Sequence, residues 1–581
     1  VSAAISVREQ RILTSDVPLR WYPDRIGDDL VRWAVERPER VFVAERNGEG
    51  WRTLTYARAL QRVRTIGGAL LAIGGPDHPV AVIAENGIDH ALVVLAAMHV
   101  GVPVSPISIN YARADADPAR LRAIFGVLGP VAAFVPDPKL AERVAQIAPE
   151  LLLLRDATQL RGDLEASDAA FASTGPDSVA KVLFTSGSTG TPKGVITTHR
   201  MLCSNQTMLS QIWPEAVDDP VLVDWAPWSH VASGSKCFGM VLRNGGTFYV
   251  DDGRPLPGAF DATLRNLRSI APTFYFNVPR GYALLADALE QQEPLARMFF
   301  SRVRVLLNAG AAMHDTLRQR LAALAQRHAG RVVPVVSAWG ATETAPMATA
   351  VWGARPAEPA TIGTPVPGVE IKLAPVDDRW ELRVRGPSVT SGYWRNPEAT
   401  ATAFDDDGFY KSGDAAELFD PADPSRGILF AGRINENFKL SSGTWVNVGA
   451  VRLATVEAAL PLLDDVVVAG ADQDELGVLG FLNLAAAREL TGRPDADRAA
   501  LAADPVVRER LRTALAARNA RAGGTSERVA RVLLLAEQPR GADGEITDKG
   551  SLNQRRVLAR RAADVARLHA TPLDPEVIVV S

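Results

Sequence analysis

The run from Phe184 to Gly194, FTSGSTGTPKG, carries the densest chemistry in the chain. An apolar approach, Val182-Leu183-Phe184, leads into glycines and small hydroxyl residues and ends on Lys193. Glycines let backbone N–H groups come close to an anion. Around Gly187 and Gly190, the side chains of Thr185, Ser186, Ser188 and Thr189 add hydroxyl donors, and Lys193 adds a mobile positive charge. That donor set suits a triphosphate. A flexible Gly/Ser linker has a similar composition, but linkers rarely follow a buried strand directly, and Pro192-Lys193-Gly194-Val195-Ile196 runs straight back into strand. A Walker A loop also cradles phosphate, yet it needs Gly-Lys followed by Ser or Thr at the start of a helix. Here Lys193 is followed by Gly194 and a β-branched run.

Such a loop needs a framework. Residues 79–84 (PVAVIA) read as a buried strand, and the segment after Ile88 as a helix. The apolar stretch from Ala91 to Val104 is interrupted by His99 and is too short to span a bilayer, so it reads as a buried helix running into a strand. Residues 303–307 read as strand, 315–328 as a helix stopped by Gly330, and 331–336 as strand again. This alternation predicts mostly parallel α/β layers, in which ligands collect at the carboxyl ends of the strands. After about residue 432 the composition shifts. Strands at 465–470, 478–484 and 529–535 with a helix near 505–519 predict a smaller α+β domain.

Further motifs follow the loop in order: SAWGATETAP (337–346), GFYKSGDA (408–415), AGRINENFKLSSGTWVNVGAVR (431–452) and DGEITDKGSLNQR (543–555). Alone each is weak, since a Thr-Glu after a strand is often a helix cap and a lysine in a polar loop is usually solvated. Together they resemble the adenylate-forming superfamily of acyl-CoA synthetases, peptide-synthetase adenylation domains and luciferases. FKLSSGTWVNVG, GEITDKG and DWAPWSH (224–230) are most similar to its feruloyl-CoA synthetase branch. The resemblance runs from about residue 20 to 565. It implies a large N-terminal domain (1–432) of layered α/β subdomains with a β-barrel-like portion, a hinge (433–437) and a small mobile C-terminal α+β domain (438–581).

The resemblance also implies roles. Trp339 would pack on adenine beside Gly340, with Gly310, Ala311 and Ala312 of the NAGAA turn (308–312) lining the base. Thr342 would contact the α-phosphate and Glu343 would hold Mg²⁺, in keeping with the preference of a hard cation for carboxylate oxygen. Asp414 would accept from the ribose hydroxyls, and Arg433 would contact ribose or phosphate. Glu436 falls where relatives have Asp at the pivot, and Ser412 replaces their Thr. His230 would gate an acyl pocket walled by Val231, Ser233, Asn277, Val278, Pro279, Ala309 and Gly310, although a tryptophan-flanked His is also often a satisfied core residue. Lys549 matches the superfamily's C-terminal catalytic lysine.

The expected chemistry joins two repelling anions, a carboxylate and the ATP α-phosphate, through positioning and electrostatics. Acyl-AMP would form with Lys549 bridging the two. The small domain would then rotate to admit coenzyme A, whose thiol displaces AMP. A hydroxycinnamate-like aromatic acid such as ferulate is the expected substrate. The alternatives are an aliphatic or alicyclic acid, or a carrier-protein thiol as acceptor. After His230 the chain reads VASGSKCFG, where the branch has an aromatic and a Gly-Gly-Asn pattern, so the substrate region departs from the branch at this point and leaves room for an acid other than ferulate. No carrier domain is expected after Lys549.

Composition excludes other classes. The 581 residues exceed one hydrophobic core. A net charge of −4 gives no case for nucleic acid or an anionic membrane. No signal peptide is read at the N-terminus. Cys203 and Cys237 lack metal or disulfide spacing, which suits a reducing cytoplasm. ATP, Mg²⁺, coenzyme A and a small carboxylic acid are the expected partners, and a homodimer is compatible with the sequence.

Overall fold

The computed structural model describes residues 5–8, 12–75, 77–186, 192–256, 258–310, 313, 315–352, 361–377, 379–541, 543–546 and 552–580. The chain divides into two compact units. The first takes in residues 1–374, 382–412 and 418–429; the second takes in 375–381, 413–417 and 430–581. The mixed α/β class expected from the sequence is what the structure has.

In the first unit, β1 (Val41–Asn47) and β2 (Gly50–Thr55) form an antiparallel hairpin. The strands β3 (Val80–Val82), β4 (Val104–Pro106), β5 (Ala132–Phe134), β6 (Leu152–Leu154), β7 (Val179–Ser186) and β8 (Pro192–Thr198) make a sheet in the order β8-β7-β4-β3-β5-β6. It is parallel except for the β7/β8 pair. A second parallel layer holds β9 (Val221–Asp224) and β10 (Thr247–Val250), which continue through β1. Beside it run β11 (Phe274–Asn277), β12 (Val305–Asn308) and β13 (Val335–Gly340), also parallel, and then antiparallel β14 (Met347–Ala350). The two runs are joined where Thr273 N donates to Val221 O at 2.9 Å.

The expected strand at 331–336 is displaced to 335–340. Pro334 has no N–H for a ladder, and only its carbonyl takes part, accepting from Leu306 N at 3.0 Å. The shift places Ser337-Ala338-Trp339-Gly340 in the strand itself rather than after it.

The helix Ile88–His99 is buried along every residue except Asp89, as an all-round apolar sequence requires. Its first free N–H is capped from another layer: Ile88 N donates to Glu45 Oε2 of β1 at 2.7 Å. A Cβ on Gly87 would stand 2.7 Å from that same carboxylate oxygen, so a side chain there would displace the Glu45 carboxylate from its capping position. The helix leads into β4, as the sequence predicts. No helix among the described residues is long and apolar enough to cross a membrane.

The second unit is α+β. Its sheet contains Leu463–Ala469, Leu476–Leu482, Val529–Leu535 and Val577–Val579 in chain order. Both faces are covered. Val466 and Val468 face one apolar cluster with Val507, Leu511 and Leu515 of helix Pro505–Asn519. Val467 and Ala469 face another with Val557 and Leu568. Alternating residues of one strand thus serve two cores.

Among the described residues of the first unit, His90, His99 and His199 are buried. His99 stacks on Phe171 at 4.1 Å, and neither of its ring nitrogens has a hydrogen-bond partner among the described residues. His199 accepts from Ile26 N at 3.3 Å, and a nitrogen of His90 lies 3.1 Å from the Glu85 carbonyl. Burial pushes each down to about 4. They are neutral when folded, whereas an unfolded histidine titrates near about 6.5. Between these values the unfolded chain binds more protons, so their contribution is complete above about pH 6.5 and is lost as pH falls toward 4. Thermal unfolding should therefore show a lower midpoint at pH 5 than at pH 7.5. His99→Phe, which keeps the ring stack, should shrink that difference; an identical pH slope in the variant would remove His99 from this account.

Candidate active site

The carboxyl ends of four neighbouring strands place the SAWGATETAP motif and the expected acyl-pocket segments on one edge of the first unit. Asp224 ends β9, Asn277 ends β11, Asn308 ends β12 and Gly340 ends β13. The segments that leave them are Trp225–His230, Val278-Pro279, Ala309-Gly310 and Ala341-Thr342-Glu343. Open α/β sheets take ligands at this end of their strands, in the crevice expected there.

Of the residues expected to hold phosphate, Thr185 and Lys193 lie on the β7/β8 strand pair. Thr185 pairs with Lys193 and Ser186 with Pro192. Lys193 is therefore on a strand and opens no helix, which separates the hairpin from a Walker A loop. Gly187, Ser188, Thr189 and Gly190 are outside the described residues, as is the Ser186 side chain. The outer edge of β8 is held by residues distant in sequence. Ile196 N donates to Gly392 O at 3.1 Å, Trp394 N to Gly194 O at 2.7 Å, and Val195 bridges to Tyr393. Gly194 allows this contact: a Cβ there would be 2.8 Å from Val182 and 3.4 Å from Trp394.

The packing brings Tyr393 between the β7/β8 hairpin and the Thr-Glu motif. Lys193 Nζ lies 5.1 Å from the Tyr393 ring centroid, on its π face. The Tyr393 hydroxyl donates to Glu343 Oε1 at 3.1 Å. Tyr410 OH lies 3.5 Å from Tyr393 OH. Burial, reinforced by the Glu343 charge, raises both phenols above their ordinary values, so they remain protonated donors. Glu343 is 8% exposed, in the short turn Thr342–Thr344, and its carbonyl accepts from Thr390 N at 2.8 Å. Neither tyrosine was evident from the sequence. Each contact comes from long-range packing: Tyr393 lies in no motif, and Tyr410 lies within GFYKSGDA but receives no role from it.

Trp339 is buried in β13 opposite Thr349, and Thr342 is half-buried. Gly340 is sterically required, since a Cβ would stand 1.6 Å from Pro346 O. Gly310 is exposed with φ +87°, the left-handed region that favours glycine, while Ala311 and Ala312 lie outside the described residues.

On the acyl side, Ala232 N donates to His230 Nδ1 at 3.2 Å, so the neutral ring carries its proton on Nε2. Val231 is buried, and Val278, Pro279 and Ala309 are half-buried. Two expected wall residues turn inward. Ser233 Oγ donates to Asp224 Oδ2 at 2.6 Å. The Asn277 carboxamide accepts from Trp225 Nε1 at 3.2 Å and donates to Tyr275 OH at 3.1 Å. Their polar atoms hold the scaffold of the crevice.

In the second unit, Asp414 is buried and Arg433, half-exposed, places Nε 3.0 Å from its Oδ1. Glu436 N donates to Arg433 O at 3.2 Å, and Asn437 Oδ1 accepts from Val448 N at 3.1 Å, which ties the segment after Arg433 to the following helix. Lys549 lies outside the described residues.

Residues 30–394 match the family described as AMP-binding enzyme. The chain belongs to the AMP-binding enzyme family. It is 31% identical over 404 residues to a feruloyl-CoA synthase of Amycolatopsis, covering 67% of this chain and 76% of that protein. It is 26% identical over 507 residues to the 3-[(3aS,4S,7aS)-7a-methyl-1,5-dioxo-octahydro-1H-inden-4-yl]propanoyl:CoA ligase of Rhodococcus jostii, covering 79% and 88%. Its fold is shared with the adenylation domain of carboxylic acid reductase from Segniliparus rugosus, a structure in complex with AMP and a co-purified carboxylic acid. That match has a TM-score of 0.72 at 20% identity and covers 94% of each chain. The chain is thus an AMP-binding enzyme of the adenylate-forming acid–CoA ligase type.

Removing one hydrogen bond to a charged acceptor costs about 1.5–3 kcal/mol. Tyr393→Phe keeps the ring under Lys193 and deletes only the donor to Glu343. ATP–pyrophosphate exchange should fall by about 10- to 100-fold with little change in thermal midpoint. Activity within about twofold of the parent would mean that Glu343 is positioned without the phenol.

Proposed function

We propose that the crevice activates a carboxylic acid as its acyl-adenylate and passes the acyl group to coenzyme A, releasing pyrophosphate and then AMP. The observation that carries this reading is the Lys193–Tyr393–Glu343 arrangement. One tyrosine presents its π face to the hairpin lysine and its hydroxyl to the buried carboxylate. A cation and an anion are thereby fixed on either side of one phenol. That pairing suits a polyphosphate whose charge is met by an ammonium at one point and by a divalent cation at another.

Glu343 would hold Mg²⁺, with Thr342 beside it at the α-phosphate. The residues fit such an ion. Among the described residues no group of three or more His, Cys, Asp or Glu could form an all-protein cage. Mg²⁺ usually takes one or two carboxylates and completes its shell with phosphate and water. When bound, the ion supplies charge neutralisation at the phosphates. Thr185, Ser186, Gly187, Ser188, Thr189 and Gly190 would cradle the phosphates, Trp339, Gly310, Ala311 and Ala312 the adenine, and Asp414 with Arg433 the ribose. The buried Asp414 carboxylate, paired with a half-exposed arginine, is suited to accepting hydroxyl hydrogens.

Lys549 would bridge carboxylate and α-phosphate in the first half-reaction. Rotation of a C-terminal domain (438–581) about residues 433–437, pivoting at Glu436, would then open a path for the thiol, with His230 gating the acyl pocket. An aromatic, hydroxycinnamate-like acid is supported by the likeness to feruloyl-CoA synthase and by the DWAPWSH and FKLSSGTWVNVG runs. An alicyclic acid is the second reading, supported by the Rhodococcus ligase and by the departure of VASGSKCFG from the feruloyl pattern.

Lys549→Ala should slow acyl-adenylate formation by about two to three decades, as loss of a main charge stabiliser does. Thioester formation from synthetic acyl-AMP should be largely kept. Equal losses in both half-reactions would reject this role for the lysine. ATP–pyrophosphate exchange with ferulate and with alicyclic propanoates, followed by coenzyme A consumption, tests the substrate reading directly.

A further inference from the structure

Two lysines are buried around one turn of the acyl side, and only one of them is satisfied. Beyond His230 the chain makes a π-helical turn, Ala232–Cys237, that opens the helix Phe238–Asn244. Such wide turns occur frequently at functional sites, because they free carbonyls and redirect side chains. Here the turn is held firmly. Lys181 Nζ of β7 donates to Gly234 O at 2.6 Å, and Gln206 Nε2 donates to Ser235 O at 3.0 Å and to Lys236 O at 3.3 Å. Gly234 lies so close to Trp228 that a Cβ would be 2.0 Å from its carbonyl oxygen. Lys181 is thus a structural lysine, with its ammonium on a backbone acceptor.

Lys236 differs. It is 3% exposed, and its Nζ stands 3.9 Å from the centroid of the Phe276 ring. Among the described residues its ammonium makes no hydrogen bond or ion pair. The nearby acid, Asp224, is already engaged by Ser233 Oγ and by Ala226 N at 2.9 Å. Burial pushes the lysine below its ordinary value and the aspartate above its own. A ring face attracts a cation but accepts no N–H in the directed way an oxygen does. A buried amine left this way is costly unless an acceptor arrives. Phe276 is the residue before Asn277 at the carboxyl end of β11, so the free donors stand at the crevice edge from which Val278 and Pro279 depart.

We propose that Lys236 is a specificity-determining residue that donates to an oxygen of the acid remote from its reacting carboxylate. This rests on the reading of the crevice as an acid-activating site. The substrate class is then an acid bearing a distal hydroxyl, keto or second carboxylate oxygen. Unsubstituted acids, which would bury hydrocarbon against unsatisfied donors, are disfavoured.

The test is ATP–pyrophosphate exchange with matched pairs: 4-hydroxycinnamate and cinnamate, 3-(4-oxocyclohexyl)propanoate and 3-cyclohexylpropanoate, adipate and hexanoate. These arms separate phenol, ketone and carboxylate as the source of the oxygen. In at least one pair the oxygenated acid should be preferred by about 100-fold in kcat/KM. Lys236→Met, a near volume-conserving change, should reduce that ratio below about fivefold, and Lys236→Gln, which keeps an N–H donor, should give an intermediate ratio. Thermal midpoints close to the parent's would show both variants folded. Exchange without preference in the parent, or a ratio unaltered in Lys236→Met, would overturn the inference and leave the ligase reading standing. Absence of exchange with every acid would overturn the ligase reading, and this one with it.

Discussion

The hydrogen bond from Tyr393 to Glu343 is the interaction on which the chemistry proposed for the first unit depends. It is made by a phenol that burial keeps protonated, so its donor is always available to the carboxylate. The same ring faces Lys193, so the two charges that would meet a nucleotide are referred to a single rigid object. A long lysine on a hairpin and a glutamate on a tight turn would otherwise wander independently. Electrostatic stabilisation in transfer reactions depends on groups being oriented before charge develops. The aromatic ring supplies that orientation without adding a competing charge.

Around this contact the fold is arranged as a set of substitutes for missing partners. Glu45 caps a buried helix from a neighbouring strand. Lys181 and Gln206 take carbonyls that a π turn exposes. Asn277 and Ser233, at the mouth of the crevice, are bound to Trp225, Tyr275 and Asp224. Buried polar atoms are expensive unless satisfied, and satisfied networks fix one geometry. A stiff wall of this kind holds the crevice residues in one arrangement before a ligand arrives.

Much of this was legible in the sequence. The strand, the return through Pro192 and Lys193, the buried helix after Ile88 and the alternation that builds parallel layers all follow from local pattern. So do the three longer strands of the second unit and its helix Pro505–Asn519. The displaced strand at 335–340 shows where pattern fails: Val332 and Val333 are as β-prone as their successors, and only the lost N–H of Pro334 sets the boundary. Tyr393, Tyr410 and Lys236 were silent for another reason. Their meaning comes from partners scores of residues away, and VASGSKCFG is readable only as a departure until Phe276 is placed over its lysine. The inward turn of Asn277 and Ser233 is likewise a matter of rotamer and neighbour, which residue type does not specify.

The bridge between Val195 and Tyr393 carries a consequence for biosynthesis. Nearly two hundred residues separate the hairpin from the segment that clamps its edge, and closing so long a loop comes late. A chain emerging from the ribosome therefore owns β8 long before it owns the tyrosine that bridges to its edge. Nucleotide affinity should switch on only when translation has passed Trp394, giving the growing polypeptide a built-in delay between making the loop and being able to use it.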